Sequence, residues 1–150
     1  MEIWIVFFVL VLMTGGTKSQ DQTINLDDGG TAMTITSPNY PSNYDNNVNI
    51  LWKVIAPNGF RIRLQFSDFN LEERWWNSGW WYADSLTVYL GLTDSFSDAT
   101  RIATLSGSSL PDDISSTGSY MWLRFTSDGS VTRQGFSASV STIQPGMNKC

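Results

Sequence analysis

Apolar and polar residues alternate with a period of two along much of this chain. Ile62, Leu64 and Phe66 alternate with Arg61, Arg63 and Gln65, and Leu86, Val88 and Leu90 with Thr87 and Tyr89. Met121, Leu123 and Phe125 interleave with Trp122, Arg124 and Thr126; Phe136, Ala138 and Val140 interleave with Ser137, Ser139 and Ser141. Each run predicts a strand with one face in a core and one in water. Turn signals separate the runs: Pro38-Asn39, Pro57-Asn58-Gly59, Asn77-Ser78-Gly79, Pro111-Asp112-Asp113 and Asp128-Gly129. No segment sustains a 3.6-residue pattern with caps. The chain is therefore predicted to be all-β, an antiparallel sandwich or barrel.

One stretch departs from this pattern. Ile3–Met13 is eleven consecutive apolar residues, too few for a bilayer span of about twenty. It fits the apolar part of a secretory signal peptide, with Thr17 and Ser19 as the small residues before a cleavage at Gln20. The expected organisation is a signal peptide over 1–19, one domain over 20–143 and a C-terminal tail over 144–150. The chain is expected to be secreted, with no transmembrane anchor. Cleavage would remove Glu2 and Lys18, so the net charge of −5 is unchanged.

Composition narrows the chemistry. Of 150 residues 41% are hydrophobic and 15% charged, which suits one globular domain. Histidine is absent and Cys150 is the one cysteine. That removes Ser-His-Asp and Cys-His catalysis, histidine zinc sites and any intrachain disulfide. A sequence pI near 4.4 argues against nucleic acid and suits hard cations or basic partners. A glycosidase pair drawn from Glu72 or Glu73 with Asp84 is too sparse a pattern to carry catalysis. The expectation is a protein that is not an enzyme.

Four segments, in order, resemble the CUB domain family. They are Ile35–Tyr44 (ITSPNYPSNY), Leu51–Glu72 (LWKVIAPNGFRIRLQFSDFNLE), Tyr82–Tyr89 (YADSLTVY) and Tyr120–Val140 (YMWLRFTSDGSVTRQGFSASV). The resemblance covers about residues 26–142 and implies a jelly-roll-like sandwich of two antiparallel sheets used in extracellular binding. Members of the family usually carry four cysteines. Here Asp28, Ile50, Trp81 and Ser106 stand roughly where they would lie. Each missing bridge removes about 2–5 kcal/mol from a small secreted domain. Buried Ile50 and Trp81 would offset part of that, whereas Asp28 and Ser106 would not.

Calcium-binding members use a Glu after the F-x-L strand, an Asp in the Y-D strand and an Asp in the S-D-x-S loop, with a bracing Tyr. By resemblance these are Glu72, Asp84, Asp128 and Tyr44, with Ser130 contributing from the last loop. Three carboxylates meeting at one rim repel unless a cation neutralises them, and Ca²⁺ prefers such oxygen ligands. Val131 stands where many calcium-binding members have Asn. In this family the metal holds acidic loops that receive a Lys or Arg of a partner protein.

Between Glu72 and Asp84 lies ERWWNSGWWY. Trp75-Trp76 and Trp80-Trp81 flank an Asn-Ser-Gly turn, which predicts a hairpin with one Trp of each pair inward. These rings either pack on the sandwich in place of the missing bridge or contact a ligand, protein or glycan. Cys150 suggests an intermolecular disulfide, and so a possible oligomer, or a chain that continues. The function expected is protein recognition or adhesion through a calcium-organised rim. The alternatives are a glycan-binding module using the Trp75–Trp81 loop and a component of an extracellular or mineralised matrix.

Overall fold

The computed structural model describes residues 21–73 and 84–146. The leader reading of residues 1–19, the ligand-contact reading of Trp75, Trp76, Trp80 and Trp81, and the disulfide reading of Cys150 fall outside the described residues.

The four strands that period two predicts are all present: β4 (Arg61–Asn70), β5 (Ser85–Gly91), β8 (Tyr120–Thr126) and β9 (Gly135–Ile143). A fifth long strand, β3 (Asn49–Ile55), is not among those runs. Shorter strands complete the set: β1 (Gln22–Asn25), β2 (Met33–Thr36), β6 (Thr100–Leu105) and β7 (Ile114–Ser115). One sheet has the order β1-β3-β8-β5-β6 and the other β2-β9-β4-β7. The sandwich is antiparallel as expected except at one edge, where β1 pairs with β3 in parallel, Gln22 opposite Trp52. That pairing arises because the chain leaves the first sheet after β1, runs β2 in the second sheet, and returns.

The inward faces make one core. Trp52, Val54, Leu86, Val88, Met121, Leu123 and Phe125 from one sheet meet Ile62, Leu64, Phe66, Phe136, Ala138 and Val140 from the other. Aromatic rings lock the sheets together edge to face: Trp52–Phe136 at 5.9 Å, Phe125–Phe136 at 5.7 Å and Tyr44–Phe125 at 5.1 Å. Where the family's cysteines would stand, Ile50 is buried in this core, while Asp28 is exposed.

A bulge in β4 sets up the functional end. The β4–β9 register shifts between Phe66 and Asp68, so the inward phase passes from Phe66 to Phe69 and Leu71. Phe66 and Phe69 both reach the core, 5.5 Å apart. Glu72, following Leu71, then stands at the rim beside the start of β5 and the end of β8.

At that end the chain also packs backbone against side chain. Gly135 has φ 93°, and a Cβ there would lie 1.7 Å from Ser37 Oγ, which accepts the Phe136 N–H at 3.1 Å. Gly59, in the β3–β4 turn, has φ 85° but open space around it. Gly59→Ala should therefore lose only the left-handed backbone preference, about 1–2 kcal/mol. Gly135→Ala should add overpacking of about 1–3 kcal/mol to that. Urea unfolding of the two variants tests the ordering, and equal losses would mean that the contact with Ser37 yields freely.

Candidate functional site

Three carboxylates gather at the rim because three strand ends meet there. Glu72 follows β4, Asp84 immediately precedes β5, and Asp128 lies two residues past β8. One carboxylate oxygen from each lies within 4.8 Å of the other two. The structure thus places the three acids of the sequence reading side by side.

Asp84 is the anchor. It has no exposed surface, and both of its oxygens are used. Tyr44 OH donates to Oδ2 and the Asp128 N–H donates to Oδ1 at 2.8 Å. The Tyr44 hydroxyl also accepts the Glu72 N–H at 3.1 Å. Tyr44 is itself 1% exposed, and its N–H donates to the Arg133 carbonyl at 3.0 Å. The bracing position read for Tyr44 is therefore occupied by a residue that ties all three acidic segments together. Ser130 closes the third loop, its N–H donating to Asp128 Oδ1 at 2.8 Å and its hydroxyl lying 3.3 Å from the same oxygen.

Other groups at this rim had no role assigned from the sequence. Ser127 Oγ accepts the Val48 N–H at 2.8 Å and donates to the Asp45 carbonyl at 2.7 Å, joining the β2–β3 and β8–β9 connections. Asn47 N–H donates to the Asp128 carbonyl at 2.7 Å. The positive charge of Arg133 partly offsets the acids. A lone Ser or Arg in a polar loop is unremarkable in sequence, so only the fold reveals these roles. Val131 adopts φ 51°, a left-handed conformation that Asn tolerates far better than a β-branched residue.

The electrostatics are those of confined negative charge. Burial raises the Glu72 carboxyl above its ordinary range, and the charges of Asp128 and Asp84 raise it further. Burial also raises Asp84, while the bonds from Tyr44 and the Asp128 amide pull it back. Burial, with the bond to Asp84, holds the Tyr44 hydroxyl protonated. Among the described residues Glu72 Oε2 is buried with no hydrogen-bond partner, an acceptor left open beside two further carboxylates. An all-oxygen donor set with an orphaned anionic oxygen suits a hard divalent cation.

Comparison with known proteins agrees with this fold. A family model described as CUB domain matches residues 29–140. Cubilin of Canis lupus familiaris is 38% identical over 125 residues, 82% of this chain and 3% of that protein. Among solved structures, the full extracellular region of zebrafish Gpr126/Adgrg6 is 32% identical with a TM-score of 0.63, over 81% of this chain and 15% of that one. The MASP-1 CUB2 domain bound to Ca²⁺ shares the fold with a TM-score of 0.62 at 24% identity, over 78% of this chain and 96% of that one. The chain thus corresponds to a small part of cubilin and of the Gpr126 region.

Two outcomes follow from the site. Because the Glu72 carboxyl is raised on folding, the native state binds more protons than the unfolded one. Its favourable contribution is complete below the ordinary glutamate range and is lost as pH rises through the raised value. Without divalent cations, Glu72→Gln should gain in midpoint relative to wild type between about pH 4 and pH 7. A difference independent of pH would contradict this assignment. Tyr44→Phe strips Asp84 Oδ2 of its donor and should cost about 1–3 kcal/mol in chemical denaturation. A loss within a few tenths would show that Asp84 finds another donor.

Proposed function

The chain belongs to the CUB domain family, and we propose that it is a secreted, extracellular recognition module whose acidic rim is organised by Ca²⁺. Glu72, Asp84 and Asp128 would hold the ion, Tyr44 would brace Asp84, and Ser130 would steady the Asp128 loop. The observation that carries this reading is the orphaned Glu72 Oε2 beside two further carboxylates within 4.8 Å. A calcium-bound MASP-1 domain of the same fold supports it, as does the extracellular setting of the Gpr126 relative. A bound cation supplies positive charge that lets the three acids coexist.

The chain's own residues do the rest. Asp84, fixed from both sides by Tyr44 and the Asp128 amide, keeps the rim from opening. The outer oxygens of Glu72 and Asp128 then present negative charge to a partner. A Lys or Arg of a partner protein is the matching group, through charge-assisted hydrogen bonds that salt weakens. Binding, not catalysis, is the role proposed for residues 20–143, with 1–19 as leader and 144–150 as tail. Within the described residues no helix is long and apolar enough to cross a membrane.

Thermal unfolding of the chain from Gln20 onward, in EDTA and then in about 1 mM Ca²⁺, tests the proposal. A ligand at a hundred times its Kd adds about 2.7 kcal/mol. The midpoint should rise by on the order of 5–15 °C. Glu72→Ala and Asp128→Ala should each abolish the rise. An unchanged wild-type midpoint would remove calcium from the mechanism.

A further inference from the structure

The outer face of the five-stranded sheet holds a second cluster, of the opposite charge. Strand register sets Lys53 opposite Trp122, Trp122 opposite Tyr89, and Tyr89 opposite Arg101. Arg124 lies opposite Leu51 and Thr87 on the same face. These side chains point away from the core because Trp52, Met121, Leu123 and Val88 point into it. The described residues include six Lys and Arg (Lys53, Arg61, Arg63, Arg101, Arg124 and Arg133). Half of them surround Trp122, on a chain whose net charge is −5.

A Trp on an outer sheet face should be wet, yet Trp122 is only 2% exposed. The β5–β6 connection, residues 92–99, folds back over it. Phe96 lies 5.0 Å from Tyr89 and 6.0 Å from Trp122, ring centre to ring centre, and the Arg124 guanidinium carbon is 5.5 Å from the Phe96 ring centre. Asp94 forms an ion pair with Lys53. Otherwise this strap is bonded to itself: Thr93 Oγ1 donates to Asp98 at 2.9 Å, the Ser95 N–H to Thr93 Oγ1 at 3.2 Å, and the Ala99 N–H to the Phe96 carbonyl at 3.1 Å. Its short 3-10 turn, Phe96–Asp98, buries no residue, and Ser95 supplies no side-chain cap. An element held by one ring and one surface ion pair belongs to the least stable part of a fold.

The fit of the strap is incomplete. Arg124 Nε is buried and has no hydrogen-bond partner among the described residues, because a phenyl ring offers the guanidinium a π face but no acceptor oxygen. The cradle is thus built for an aromatic ring together with more negative charge than Phe96 and Asp94 deliver. We propose that it is a binding site for an acidic peptide segment carrying an aromatic residue, and that the 92–99 strap is the tethered stand-in for that segment. The partner's ring replaces Phe96 against Trp122 and Tyr89. Its carboxylates replace Asp94 on Lys53 and supply the acceptor that Arg124 Nε lacks.

The test uses a fluorescein-labelled peptide with the sequence of residues 92–99, followed by anisotropy on the full secreted chain. A tethered competitor acts at an effective concentration of about millimolar, so wild type should bind this peptide at least about tenfold more weakly than Phe96→Ala. Adding Arg124→Gln to Phe96→Ala should weaken binding by about threefold, through loss of the guanidinium over the peptide's ring, and replacing the peptide's Phe by Ala should weaken it by about tenfold. If Phe96→Ala fails to fold, Asp94→Asn cuts only the surface ion pair and should still tighten binding by about threefold. Affinities should be the same in Ca²⁺ and in EDTA, which separates this face from the acidic rim. Failure of both strap variants to bind tighter than wild type overturns the proposal. So does indifference to Arg124→Gln or to loss of the peptide ring, or dependence on calcium.

Discussion

Asp84 has no contact with water, and a carboxylate in that position must be met by donors or by opposite charge. Its donors come from sequence-distant places, the Tyr44 hydroxyl before β3 and the Asp128 amide after β8. Because the Tyr44 hydroxyl also takes the Glu72 N–H, one buried acid fixes three connections relative to each other. The consequence is electrostatic. Glu72 and Asp128 cannot splay into solvent to relieve their repulsion, so the folded rim carries confined negative charge. A bound hard cation, as proposed, would reverse the sign of that cost and make folding stability and cation affinity two views of one equilibrium.

The same tyrosine links the rim to the core. Tyr44 packs edge to face on Phe125, Phe125 on Phe136, and Phe136 on Trp52. Each such pair contributes about 0.5–1.5 kcal/mol beyond its buried area. A chain with Asp28 and Ile50 at two of the family's cysteine positions needs its sheets joined by packing. Ile50, paired with Phe125 across β3 and β8, is buried in that join. Asp28, exposed, adds nothing to it.

Much of this fold was legible in the sequence because its strands are half-buried and alternate cleanly. β8 and β9 start one residue before their first alternating apolar positions, Met121 and Phe136. What alternation missed has specific causes. β6 reads TRIATL and is broken by a bulge, with the register shifting between Val88 and Tyr89. β7 has two residues, too few for any period. The bulge at Ser67 moves the inward phase of β4, which strict alternation does not foresee. The acids of the rim were findable only through family motifs, since their proximity depends on which strand ends meet. Ser127 stood in the S-D-x-S motif with no role attached to it, and Arg133 left no trace at all. Trp122 is the instructive failure: alternation marks it as exposed, and a connection rooted at the other end of β5 buries it.

β5 also explains how two surfaces of opposite sign can coexist on a small domain. Asp84 precedes its first residue and the strap follows its last. Seven residues at about 3.3 Å each separate the rim from the root of the strap by roughly 23 Å. That is well over the Debye length of about 8 Å at physiological salt. The negative field of the rim is therefore largely screened before it reaches Lys53 and Trp122, and an acidic segment approaching the outer face is not turned away by it. Segregating the charges along one rigid strand would let a chain of net charge −5 address both proposed partners, basic groups at its end and acidic groups on its flank. Mixing them on one surface would have paired them with each other and left nothing to offer either partner.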